Sequence, residues 1–223
     1  MSAIHGDSSD ILRVTSLKVQ VTDKNRVSVF INGKYRLSLG ISQISSLGIR
    51  TGLTLTSDQI NDLEQEGQFG KLYNRALEYA LIRPRSIREL KDYLYRKTRD
   101  TRTKAGEVKV GYPQKIADRV LEELIEKEYL NDAKFARFWL DNRNLSKGAS
   151  ERKLIAELKL KGVSDETIQS AISRSDRNDK SELYKVIAKK ASRYSDQKKL
   201  IAYLMRQGFK YSDVVEVLKD EDN

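Results

Sequence analysis

The sequence predicts a mainly α-helical protein: three tandem three-helix repeats forming an elongated, curved body, preceded by a small α+β unit with a three-stranded antiparallel meander. Three observations carry this. A period-two apolar pattern is confined to residues 17–39, a helical pattern recurs three times after residue 70, and charge is partitioned at the same place. Residues 1–70 hold seven basic and seven acidic side chains, so the whole net charge of +10 belongs to the remainder.

Residues 1–12 read as a flexible polar leader that contains the one histidine, His5. The α+β unit spans 13–70. Leu17, Val19 and Val21 alternate with polar residues, as do Val27, Val29 and Ile31, and then Tyr35, Leu37 and Leu39, the mark of half-buried strands. Thr22-Asp-Lys-Asn25 forms the first turn. Asn32-Gly33 suits the positive φ angles of a two-residue hairpin. Ile41, Ile44 and Leu47 predict a short helix stopped at Gly48. Thr56-x-x-Gln59 is a capping box opening a helix through Glu66.

Sliding the chain on itself by 64 residues, then by 46, aligns Ser86–Leu94 with Ser150–Leu158 and Asp196–Leu204. Each copy has a capping residue, then a basic residue two places on (Arg88, Arg152, Lys198). Leucines follow at four and eight places (Leu90 and Leu94, Leu154 and Leu158, Leu200 and Leu204), which gives one apolar stripe per helix. Copies two and three continue as Lys161-Gly162-Val163 and Gln207-Gly208-Phe209, glycine helix ends followed by Ile168 with Ile172 and Val214 with Leu218 on a further helix. Copy one reaches Ile116 and Val120 only after an insertion, Lys97 to Gly111. A preceding helix serves each copy, through Leu72 and Ala76, through Phe135 and Trp139, and through Leu183 and Ile187. The repeats are expected at 71–128, with a basic insertion at about 98–111, at 129–174 and at 175–220. Units this small bury little alone, so neighbours stack. Arg174–Lys180 reads as a linker, and Trp139 as core rather than a base-stacking platform.

With no cysteine and only one histidine, disulfide frameworks, thiolate zinc sites, cysteine nucleophiles and most imidazole chemistry are excluded. No metal or cofactor is expected. No apolar run is long enough for a membrane span or a secretory signal, so a cytoplasmic location without membrane contact is expected. The carboxylates Glu122, Glu123, Glu126 and Glu128 surround a helix without a partner cluster. They read as a solvated face rather than as catalytic groups.

The densest basic stretch contains Arg83, Arg85, Arg88, Lys91, Arg96, Arg99, Arg102, Lys104 and Lys109. With Arg152, Lys153, Lys198, Lys199 and Arg206, these are the candidate contacts to a polyanion. A basic residue just inside a helix start opposes the helix dipole. Its recurrence as Arg88, Arg152 and Lys198 has two readings: an external anion, or a nearby carboxylate. The insertion reads as a β-hairpin or a mobile loop.

The Tyr129-Leu-Asn-Asp-x-x-Phe-Ala136 and Arg83-Pro-Arg-Ser-x-x-Glu-Leu90 segments, the repeated pattern and the Lys161-Gly162 helix end resemble the bacterial RecX family, modulators of the recombinase RecA. The hairpin block with Asn32-Gly33-Lys-Tyr35, leading into Tyr73-Asn-x-Ala-Leu77, is similar to the long RecX form with a strand-rich extension. The resemblance covers about residues 14–218. Two departures are the insertion in copy one and, in copy three, the lack of a match to the Leu-Asn-Asp joint. The resemblance implies a monomeric, non-enzymatic regulator. It would bind the RecA filament on single-stranded DNA, contact that DNA directly or through the filament, and inhibit ATP hydrolysis, strand exchange and coprotease activity. The alternative is a helix-turn-helix-like nucleic-acid-binding protein that acts without a recombinase.

Overall fold

The computed structural model describes residues 12–194 and 196–221. The predicted leader with His5 lies outside the described residues, except for Leu12. Strands β1 (Leu12–Val19), β2 (Arg26–Ile31) and β3 (Lys34–Gly40) form the expected antiparallel meander. Asn32 and Gly33 take φ of 48° and 79° in its tight turn. After α1 (Ile41–Ser46), a two-residue strand β4 (Thr54–Leu55) pairs beside β1, giving the order β3-β2-β1-β4. Two residues are too few to leave a periodic signal.

The buried face of β1 differs from the alternation expected. A register shift between Val14 and Ser16 reverses the side-chain phase, so Val14 is fully buried while the strand stops at Val19 and Val21 is 94% exposed. Val29, Ile31, Leu37, Leu39, Ile60 and Leu63 complete this core with Val14.

Helix α2 (Ser57–Leu81) opens with the predicted capping box. The Thr56 N–H donates to Gln59 Oε1 at 2.9 Å, and the Gln59 N–H donates to Thr56 Oγ1 at 3.2 Å. It does not stop at Glu66, but runs unbroken through residue 70 for 25 residues. Its interior glycines permit close approach. A Cβ on Gly67 would lie 2.6 Å from the Ser38 carbonyl oxygen, and one on Gly70 would lie 2.5 Å from Gln43 Oε1. Glycine costs about 1 kcal/mol in a helix interior; here that cost permits contact with β3 and α1.

The helical part then follows the repeat. It comprises α3 (Ile87–Thr98), a hairpin of β5 (Thr101–Arg102) and β6 (Val108–Lys109), α4 (Gln114–Glu126), α5 (Asp132–Asn142), α6 (Glu151–Leu160) and α7 (Asp165–Ile172). After these come α8 (Asp179–Lys190), a 3₁₀ turn (Ala191–Arg193), α9 (Gln197–Arg206) and α10 (Tyr211–Glu221). The protein is thus mainly α, three three-helix units after an antiparallel sheet. All six repeated leucines are buried. Phe135, Leu140, Leu154, Leu158 and Ile168 form one core; Leu183, Ile187, Leu200, Leu204 and Val214 form another. Trp139 packs at the edge of the first, and its Nε1–H donates to Glu157 Oε2 at 3.0 Å. By contact density the chain divides into two compact units, one running to Tyr79 and including Tyr93–Leu124, the other containing Ala80–Asp92 and everything from Ile125.

Within the second unit, α5 and α8 start alike. Asn131 accepts from the Lys134 N–H and Asn178 from the Ser181 N–H, each at 2.9 Å. The next residue reaches back to the preceding repeat. Asp132 Oδ1 accepts from the Ile87 N–H at 2.9 Å, and Asp179 Oδ1 from the Glu151 N–H at 2.8 Å. Copy three therefore does contain the joint, in the segment read as a linker. The match was hidden because Arg177 stands where Leu130 does, and Glu182 where Phe135 does. Glu182 is only 2% exposed and is fully engaged: it accepts from Arg177 at 2.6 Å, Lys185 at 2.8 Å and the Ala149 N–H at 2.9 Å. A charged cluster replaces an apolar anchor.

Candidate polyanion-binding surface

Two of the recurring basic residues, Arg88 and Arg152, sit where one repeat meets the next. Gly162 and Gly208 end α6 and α9 with φ of 81° and 99°, the left-handed geometry that favours glycine. Each abuts the start of the preceding copy's helix. A Cβ on Gly162 would lie 2.8 Å from the Arg88 Cβ; one on Gly208 would lie 2.6 Å from Ser150 Oγ and 3.4 Å from the Arg152 Cβ. The stems of Arg88 and Arg152 thus pack in the joints. Neither guanidinium forms an ion pair with a described residue. Lys198 is exposed.

The neighbouring side chains pair in the same two joints with different chemistry. Lys161 Nζ donates to Glu89 Oε1 at 2.8 Å, while in the next joint Lys153 Nζ donates to Gln207 Oε1 at 2.9 Å. Glu89 also receives Arg83, at 3.0 and 2.9 Å. Burial alone would raise the Glu89 pKa, but hydrogen bonds and charge from Arg83 and Lys161 hold it down at about 2. Arg83 and Lys153 are therefore structural participants as well as basic groups. Arg85 is half-buried; Lys91, Lys199 and Arg206 are exposed.

In the first unit the insertion is a hairpin, and every residue from Arg99 to Val110 is exposed. Arg99 lies over the Tyr95 ring at 5.9 Å, and the Asp100 carboxylate accepts from the Gly111 N–H at 2.9 Å. Arg96, Arg102 and Lys104 project without ion pairs to described residues. Lys109 belongs to a cluster the sequence did not reveal. Burial lowers the Lys71 pKa, and repulsion from Arg75, Arg26 and Lys109 lowers it further. Arg26 is 6% exposed. Its Nη2 donates to the Ser38 carbonyl oxygen at 2.6 Å and to the Gly67 carbonyl oxygen at 3.2 Å, but Nη1 has no partner among the described residues. Burial also lowers the Arg26 pKa, partly opposed by Asp23. Such unbalanced positive charge stabilises an approaching anion. The i, i+4 spacing of Lys71 and Arg75 was the available sequence signal; nothing local linked them to Arg26 or Lys109.

Glu122 and Glu126 are exposed and Glu123 is half-buried, while Glu128 is exposed and reaches Lys134 at 3.4 Å. Among the described residues no group of three or more metal-ligating side chains occurs, and no helix is long and apolar enough to cross a membrane.

Residues 131–172, which contain helices α5 to α7, match the family model for the second three-helix domain of RecX. Over 216 residues the chain is 26% identical to Regulatory protein RecX of Bacillus licheniformis, covering 94% of this chain and 77% of that one. For the Bacillus subtilis protein of the same name the identity is 27% over 222 residues, covering 94% and 79%. For that of Halalkalibacterium halodurans it is 30% over 164 residues, covering 72% and 57%. A crystal structure of regulatory protein RecX shares the fold with a TM-score of 0.70 at 20% identity, covering 94% of this chain and 99% of its own. RecX from Lactobacillus salivarius does so at 0.54 and 22%, covering 70% and 97%. With the joints and the hairpin block both present, the chain belongs to the RecX family of regulatory proteins.

Proposed function

We propose that this protein is a cytoplasmic, monomeric, non-enzymatic regulator that binds the RecA filament on single-stranded DNA and inhibits its ATPase, strand-exchange and coprotease activities. The observation that carries the reading is similarity to regulatory RecX proteins along 94% of the chain. Two physical features support it. Several small units offer shallow contacts that add through effective concentration along a polymer. The basic hairpin, with Arg99, Arg102, Lys104 and Lys109, and the exposed heads of Arg88, Arg152 and Lys198 favour approach to a DNA-containing assembly. A recognition-helix role is disfavoured for α7, whose first turn carries Asp165 and Glu166 that would repel phosphates at the entry point.

The test is to titrate the purified chain into RecA assembled on single-stranded DNA and follow ATP hydrolysis. Suppression at stoichiometric concentration is expected, and an unchanged rate there rejects the reading.

A further inference from the structure

The second unit contains a cleft of about 480 Å³, bounded by the α5–α6 connection, the first turn of α6, the end of α8 and helix α9. Five cations line it: Lys147, Lys153, Lys189, Lys190 and Arg193. No carboxylate is among its lining residues. Two of the five are held by neutral acceptors. Lys153 Nζ donates to Gln207 Oε1, and Lys189 Nζ donates to the Ser146 carbonyl oxygen. Their positions are set without a direct ion pair, although the Glu157 carboxylate acts on Lys153 through space. Lys147, Lys190 and Arg193 make no ion pair with a described residue. Between the cations stands the half-buried ring of Tyr203, with Val186 and Phe209 buried in the core beside it. Only Lys153 belongs to the basic positions read from the sequence; the other four come together through folding.

We propose that this cleft is a binding site for single-stranded nucleic acid, with the cations taking backbone phosphates and the half-buried Tyr203 ring taking a base. A nucleotide presents both a phosphate and a flat apolar face within one unit, which matches a set of cations beside the Tyr203 ring. A run of acidic side chains offers the charge alone. The proposal rests on the filament reading in taking single-stranded DNA as the nucleic acid.

The experiment measures fluorescence anisotropy of a labelled oligothymidylate of about 15 nucleotides. It is titrated with the full chain at several salt concentrations, without recombinase. The Lys147→Ala, Lys190→Ala, Arg193→Ala triple variant should bind at least tenfold more weakly. Its plot of log affinity against log salt should flatten by about 2, from three lost contacts at about 0.7 each. A charge-matched triple, Lys24→Ala, Arg50→Ala, Lys115→Ala, should bind as the parent does, and all three proteins should share one thermal unfolding midpoint. Unchanged affinity in the cleft variant, or an equal loss in both triples, overturns the proposal. So does tighter binding of polyglutamate than of oligothymidylate at matched ionic strength, which assigns the cleft to an acidic polypeptide. Cleft-dependent DNA binding by a chain that leaves RecA ATPase untouched sustains this site while rejecting the filament reading.

Discussion

Gly162 and Gly208 each meet two constraints at once, a positive φ and a neighbouring repeat at contact distance. Gly33 meets only the first, since a Cβ there finds nothing within 4 Å. Comparing alanine variants by urea unfolding separates the two. Gly33→Ala should cost about 1–2 kcal/mol from left-handed strain alone. Gly162→Ala and Gly208→Ala should cost more, because Arg88 and Ser150 must also move. Equal costs would remove the packing role assigned to the joints. Arg88 and Arg152 likewise divide by atom, with the stem packed and the head solvated. Reversing Arg88, Arg152 and Lys198 to Glu should therefore weaken suppression of RecA ATPase while unfolding stays cooperative. Undiminished potency would free these heads of any part in binding.

Elements in the second unit are joined by acidic side chains whose titration has opposite signs. Glu89 is held at about 2, against an ordinary value near 4.3, so its stabilising contribution is complete above the ordinary value and is lost as pH falls towards 2. Glu182 and Glu157 are shifted downward too: burial opposes this, but the hydrogen bonds from Arg177 and Arg143 outweigh it. Glu89→Gln should lower stability by about 2 kcal/mol at neutral pH, with the deficit shrinking between about pH 5 and about pH 2.5. Urea midpoints across that range check it, and a pH-independent deficit would contradict the ion-pair account. Asp132 and Asp179 go the other way. Burial raises both, partly offset by the N–H each accepts from, of Ile87 and Glu151, so ionising them costs stability as pH rises. Asp179→Ala should cost about 1 kcal/mol by removing the hydrogen bond to the Glu151 N–H, and Asp179→Asn should recover most of that. If alanine and asparagine are equivalent, the joint does not depend on this acceptor.

For the molecule as a whole, the net +10 beyond the sheet makes any polyanion contact sensitive to salt. Suppression of RecA ATPase should need markedly more protein as salt rises from about 50 to about 200 mM, at least tenfold if several phosphates are contacted. A midpoint that does not move with salt would mean the exposed cations take no part.

The helices, the β2–β3 hairpin, the threefold repeat and the location of charge were legible because they are local. A period of two or 3.6, a cap at Thr56 or Ser150 and a turn at Asn32-Gly33 depend on residues a few places apart. The register shift in β1, the unbroken α2 and the joint at Asn178-Asp179 were decided by tertiary structure. Val14 follows its partners on β2, Gly67 answers to Ser38, and Glu182 is tolerated inside only because Arg177, Lys185 and the Ala149 N–H surround it. The cation cluster at Arg26, Lys71, Arg75 and Lys109 and the cleft at Lys147–Arg193 belong to the same class. Electrostatic repulsion and cavity shape depend on distance through space, which the order of residues along the chain does not record.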